Sequence, residues 1–160
     1  MEDYAENTRS SILYLLLESA GIKDVKVDHV ASHVGKTQGL VTLLRSLPYN
    51  TSKGKIYLPR ESLLKHKVSG EDLLRGRKQK EVCDIVFDIA TVANQHLEKA
   101  RSLKKDVPNT ALPFFLNTVV SDRYLKLLQK ADFNVFHPSL QGKNRLLHLQ
   151  LLLQKIRKKY

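Results

Sequence analysis

Apolar residues recur along this chain mainly at helical intervals of three and four, and seldom at alternate positions. The longest such stripe joins Val82, Ile85, Val86, Ile89, Val92, Ala93, His96, Leu97, Ala100 and Leu103, and it predicts a long amphipathic helix. Ser69 and Asp72 just upstream have the spacing of a capping box, which opens a short helix of its own. Near the start, Asp3 or Asn7 can cap a helix whose Ile12, Leu13, Leu15, Leu16 and Leu17 cover most of its circumference, so it is expected to be covered on several sides before Gly21 stops it. A second helix is expected from about Asp28 to Ser46. Val30, Val34, Val41 and Leu44 mark one of its faces, Gly35 and Gly39 form a second face that admits a close neighbour, and Pro48 is expected to end it. Tyr49 to Pro59 reads as a polar flap bending at Gly54. Pro108 and Pro113 mark a break and a restart, Ser121 is expected to cap a helix over Tyr124–Lys130, and Phe133 to Pro138 reads as a connector. The last helix is expected from about Ser139, with Leu146, Leu149, Leu153 and Ile156 on one face and Lys155, Arg157, Lys158 and Lys159 in its final turn. These elements make an all-α chain without internal repeats.

Composition narrows the class. A chain of 160 residues is one domain's worth and can bury about two-thirds of the surface its unfolded form exposes. Apolar residues at 42% and charged residues at 27% suit a soluble globular domain and exclude a disordered or fibrous one. The net charge of +11 suggests an acidic partner: nucleic acid, an anionic membrane surface, a phosphorylated ligand or another protein. Its basic clusters, Arg75–Lys80 and Lys155–Lys159, have no aromatic residues interleaved for base stacking, which argues against nucleic acid. Cys83 is the single cysteine, so neither an internal disulfide nor a cysteine zinc set can form within the chain. No apolar run approaches the ~20 residues of a bilayer-spanning helix. Glu2, Asp3 and Glu6 make the first residues unlike a transit peptide, so the expectation is a cytosolic chain or a targeting address upstream of Met1.

Several constellations compete for chemistry. His29 and His33 stand four apart, as in metal-binding pairs, but no third ligand follows one or two turns later, which favours a packed or solvated pair. Glu81, Asp84 and Asp88 form an acidic stripe containing a literal DxxxD. Arg77 and Lys80 can pair with it at helical spacing, and it faces away from the apolar stripe, so a solvated face is favoured over magnesium binding. Cys83 lies inside a helix, where nothing lowers its pKa, and is read as buried and inert. Lys53, Lys55 and Tyr57 offer two ammonium groups and a phenol able to hold an anion without metal, against the reading of ordinary loop charge. No nucleophile elbow, P-loop or dinucleotide fingerprint occurs.

The most telling stretch is Gly35 to Pro59, GKTQGLVTLLRSLPYNTSKGKIYLP. It resembles the diphosphate-binding segment of the squalene/phytoene synthase family, GxAxQLTNIxRDVxEDxxxGRxYLP, and similarity to one branch of that family extends through the stretches beginning at Tyr4, Asp28, Lys53, Asp88 and Ala131, effectively the whole chain. Arg45, Gly54, Tyr57, Leu58 and Pro59 match. The family's glutamine is replaced by Gly39, its asparagine by Thr42, its glutamate by Tyr49, and its two aspartates by Ser46 and Asn50. In the enzymes those aspartates hold Mg²⁺ against a prenyl diphosphate, a task for hard carboxylate oxygens that serine and asparagine cannot replace. Pro48 falls within the aspartate stretch and is expected to break the ligand-bearing turn.

The resemblance implies the C-terminal half of an isoprenoid-synthase-like helical fold, with residues 1–160 a partial family domain whose N-terminal half, and the first aspartate-rich motif with it, lies outside the chain. An uncovered apolar face on the first helices would follow. It further implies a pseudoenzyme with no cofactor and no metal, acting by binding in the assembly of mitochondrial respiratory complex I. The location it implies is the matrix side of the inner membrane, by peripheral association. Arg45, Lys53, Lys55 and Tyr57 are then the residues of a residual diphosphate or lipid pocket. The alternative is a transferase acting on isoprenoid diphosphates through the same four residues.

Overall fold

The structure, a computed structural model, describes residues 1–142 and 146–156. Among these residues there is no strand. Eight α-helices carry the fold: α1 (Glu2–Ala5), α2 (Ser11–Ser19), α3 (Val25–Ser52), α4 (Arg60–Lys65), α5 (Gly70–Leu74), α6 (Gln79–Ser102), α7 (Asn117–Lys130) and α8 (Leu147–Ile156). A π-helical turn, Glu6–Ser10, joins α1 to α2, and short 3₁₀ turns occupy Lys104–Asp106, Leu112–Phe115 and Pro138–Leu140.

The long helix α3 is the axis of the molecule. Asp24 caps it, accepting a hydrogen bond from the Lys26 amide at 2.8 Å. Apolar side chains point in several directions from α3 because it has neighbours on several sides. The N-terminal helices run antiparallel along its glycine face, where a Cβ on Gly35 would lie 2.2 Å from Ser10 Oγ and one on Gly39 would lie 2.4 Å from Ala5 Cβ. Helix α6 lies antiparallel on another side, its Ala93 carbonyl accepting from Thr37 Oγ1 at 3.3 Å. Two apolar clusters result. One gathers Leu40, Leu44 and Leu47 of α3 with Ile85, Val86 and Ile89 of α6 and Leu128 of α7; the other packs Leu13 and Leu17 of α2 with Val27, Val30 and Val34 of α3 and Phe115.

The expected capping box at Ser69 and Asp72 forms with both reciprocal bonds, and α6 buries most of the stripe assigned to it, with Val92 and His96 half-buried and Leu103 just past its end. Other boundaries differ. Helix α3 continues through Pro48 to Ser52. An interior proline forfeits one backbone bond and costs about 3 kcal/mol, but Leu44 and Leu47, in the turn that leads into Pro48, are fully buried, and their packing holds the helix on course. Helix α7 begins at Asn117, so Ser121 is not a cap; it sits inside the helix with its hydroxyl on the Asn117 carbonyl at 3.4 Å. Helix α8 starts at Leu147, after a 3₁₀ turn at Pro138–Leu140, and Arg157, Lys158 and Lys159 lie outside the described residues. On the N-terminal helix only the side toward α3 is covered: Leu13 and Leu17 are buried while Ile12, Leu15 and Leu16 are exposed.

Candidate functional site

The last three turns of α3 carry the residues compared above with the family's aspartate positions. Thr42, Arg45, Ser46, Tyr49 and Asn50 all lie on the side of the helix that does not enter the core; Thr42, Arg45 and Tyr49 are exposed and Ser46 and Asn50 half-buried. Since α3 is unbroken there, the four-residue spacing of Ser46 and Asn50 brings their side chains together. Ser46 Oγ donates to the Leu43 carbonyl at 2.9 Å and accepts from Asn50 Nδ2 at 3.0 Å. The pair thus satisfies much of its hydrogen-bonding capacity within its own turn, and neither member supplies an anionic oxygen. Among the described residues, no group of three or more His, Cys, Asp or Glu is placed to hold a metal ion.

Arg45 lies over the ring of Tyr124 from α7, 5.8 Å from its centroid. Burial pushes the Tyr124 hydroxyl up to about 12, against the opposing pull of Arg45, so it stays protonated. These two residues, with Arg123, Val135, Leu140 and Leu147, line an open cavity of about 380 Å³. Lys53, Lys55 and Tyr57 are elsewhere. They stand exposed on the segment that follows α3, where Gly54 takes a φ of +69° and the Lys55 amide donates back to the Asn50 carbonyl at 2.8 Å. Leu58, buried at 5% exposure, and Ile56, packed on the core, anchor this segment. None of the three contributes to the cavity beside Arg45.

A second cavity, about 410 Å³, shares Val135 with the first and opens between Pro48, Thr51, Leu73, Arg77, Cys83 and Phe136. Cys83 is half-buried rather than buried, and burial pushes its thiol pKa up, with Asp84 and Asp132 adding to the effect, which disfavours the nucleophilic thiolate. The acidic stripe finds partners other than the expected ones. Asp88 accepts from Lys65 Nζ at 2.6 Å and contacts His66 Nε2 at 3.0 Å, both presented by the α4 end. Those bonds, Lys65 first, hold its carboxyl below the ordinary range, while Asp84 remains exposed.

Sequence reasoning missed the polar seam between the N-terminal helix, α3 and α6. His33 Nδ1 meets His96 Nδ1 at 2.8 Å, and the His29 ring stands edge-on to His33 at 4.9 Å. Burial, then charge interactions with His96, His29, Lys36 and Lys99, lower His33 to about 4, so at neutral pH its ring is uncharged in this contact. Glu6 receives hydrogen bonds from the Tyr14 hydroxyl and from Ser32 Oγ at 2.7 Å, with Lys36 Nζ 3.7 Å away. Burial raises the Glu6 pKa, but these hydrogen bonds and the Lys36 charge outweigh it and hold the group below the usual carboxylate value. The one signal available for the histidine pair was His96, a polar residue inside the apolar stripe of α6. Gln38, next to the position where the family carries glutamine, has a buried side-chain nitrogen without a hydrogen-bond partner.

A helical bundle carrying this motif on its central helix defines the class: residues 1–151 match Squalene/phytoene synthase, and the chain belongs to that family. The fold agrees, since 83% of the chain superposes on 51% of squalene synthase HpnC from Alicyclobacillus acidocaldarius with a TM-score of 0.74 at 18% identity. Among curated proteins, it is similar to "NADH dehydrogenase (ubiquinone) complex I, assembly factor 6" of Rattus norvegicus and of Homo sapiens, 53% identical to each over all of this chain and 48% of theirs. The homolog of that factor in Drosophila melanogaster is 43% identical over 94% of this chain and 46% of its own length. The chain therefore spans about half the length of the curated relatives it matches.

Proposed function

We propose that this protein is a non-catalytic assembly factor for mitochondrial respiratory complex I, a pseudoenzyme on the squalene/phytoene synthase scaffold. Its identity to proteins named for that role, 53% across the whole of its length, is the observation that carries the reading. Local chemistry agrees with it. At the two positions that resemblance assigns to magnesium-binding aspartates stand Ser46 and Asn50, bonded to each other at 3.0 Å, and Mg²⁺ bound to a diphosphate ordinarily keeps one or two carboxylates. Arg45 is engaged with Tyr124, while Lys53, Lys55 and Tyr57 stand exposed on a separate segment. In this reading Arg45 lines a retained cavity beside Tyr124, while Lys53, Lys55 and Tyr57 offer a separate exposed contact for an anionic or lipid group, and neither place turns such a group over. The place of action is the matrix side of the inner membrane, reached by peripheral association; no described helix is long and apolar enough to cross a membrane.

The test is rescue of assembly. In cells lacking their own copy of the relative, a matrix-targeted form of this protein is expected to restore fully assembled complex I on native gels, and the Ser46→Ala/Asn50→Ala variant is expected to restore it equally. Absence of rescue at normal abundance would count against the assembly role.

A further inference from the structure

Helix α8 has its polarity reversed. Its inward side carries Leu147 and Leu151 together with two glutamines, Gln150 and Gln154, all half-buried. Arg123 Nη1 of α7 donates to Gln150 Oε1 at 3.1 Å, and Gln154 Oε1 is buried with no hydrogen-bond partner. The outward side is aliphatic: Leu149 is 55% exposed, Leu152 54%, Leu153 43% and Ile156 70%, with Leu146 continuing the row just before the helix. At 100° per residue these five positions form one stripe of about 120°, as wide as the buried face of an ordinary surface helix. A water-facing helix would turn its glutamines out and its leucines in.

Along the sequence that flanks this stripe, charge has one sign. Between positions 143 and 160 the sequence contains Lys143, Arg145, Lys155, Arg157, Lys158 and Lys159 and not a single Asp or Glu. Basic residues bracketing an aliphatic helical face are the arrangement that binds at the boundary between anionic headgroups and acyl chains, the hydrocarbon taking the stripe and the headgroups the cations. A second copy of the chain is a poor occupant, because a symmetric α8–α8 contact would set one all-basic segment against another. A protein partner is also less suited: the stripe is leucine and isoleucine only, lacking the Tyr, Trp and Arg anchors that give protein interfaces their specificity.

We propose that α8 is the element by which this protein docks on anionic lipid bilayers, lying in the interfacial plane with Leu149, Leu152, Leu153 and Ile156 inserted and the flanking cations on the headgroups. This deepens the peripheral-association part of the function proposed above, and rests on it.

Flotation of the purified 160-residue chain with vesicles tests it. The chain is expected to float with vesicles of equal parts phosphatidylcholine and phosphatidylglycerol, to float poorly with phosphatidylcholine alone, and to release as salt is raised. Leu149→Glu/Leu153→Glu should lower partitioning about tenfold or more without changing the melting temperature, since both side chains already face out. Lys155→Gln, which leaves packing untouched, should lower it about fivefold. Ile12→Ser/Leu15→Ser, on the other exposed apolar face, should bind like the unmodified chain. Unchanged binding by the α8 variants, or loss confined to Ile12→Ser/Leu15→Ser, would overturn the assignment to α8 while leaving membrane association intact. No binding by the unmodified chain would remove both. A dimer that Leu149→Glu/Leu153→Glu dissociates would give the stripe to a second copy and overturn the lipid assignment.

Discussion

At the scale of single residues, the closest contacts made by α3 explain why glycine recurs four apart on it. A methyl group at Gly35 would meet the Ser10 backbone nitrogen at 2.5 Å as well as its hydroxyl, so Gly35→Ala is expected to force the N-terminal helix away and cost about 1–3 kcal/mol, read by urea unfolding. The seam beside that contact makes the protein acid-sensitive. His33 titrates near 6.5 when unfolded and about 4 when folded, so between those values the unfolded chain binds more protons and stability falls as pH drops. Glu6, lowered from 4.5, adds a further loss at still lower pH, as acid protonates the carboxylate that holds Tyr14 and Ser32. Melting temperature is therefore expected to be level above about pH 6.5 and to decline through the range below, with His33→Gln flattening the first part of the decline. A decline that His33→Gln leaves unaltered would remove His33 as its cause. The pairing of His33 with His96 was not legible in the sequence, because it joins positions 63 apart and neither residue carries a local sign of the other.

At the scale of elements, what the sequence made legible depended on how much of the signal was local. Helix α6 was readable along nearly its whole length because ten positions repeat at one period, and the Ser69 box because its bonds span three residues. Pro48 misled for the opposite reason: the rule for proline is local, while Leu44 and Leu47, which override it, are held by α6 and α7 through contacts far along the chain. If packing is what keeps α3 helical there, Pro48→Ala should restore a backbone bond and stabilise the protein by about 1–3 kcal/mol in urea unfolding. Destabilisation would mean that the ring itself is a packing element. The start of α7 was missed because no side chain caps it, which left Ser121 as the nearest residue with capping chemistry. The outward stripe of α8 was visible as Leu146, Leu149, Leu153 and Ile156, but periodicity alone cannot say which face of a helix meets the core.

At the scale of the whole molecule, an all-α chain of the squalene/phytoene synthase family carries Ser46 and Asn50, bonded to each other, at the two positions that the resemblance gives to metal-binding aspartates. Its family was legible in the sequence because the motif keeps Arg45, Gly54 and Tyr57–Pro59 in register; the placement of the four candidate pocket residues was not, since only the fold shows Arg45 turned to Tyr124 and the two lysines exposed beyond the helix end. Binding without catalysis is the central claim, and it is tested most directly by pyrophosphate release from farnesyl and geranylgeranyl diphosphate in the presence of Mg²⁺. The account predicts release no faster than without protein. Turnover that disappears in Lys53→Ala or Tyr57→Phe would contradict it and make the protein a prenyl transferase.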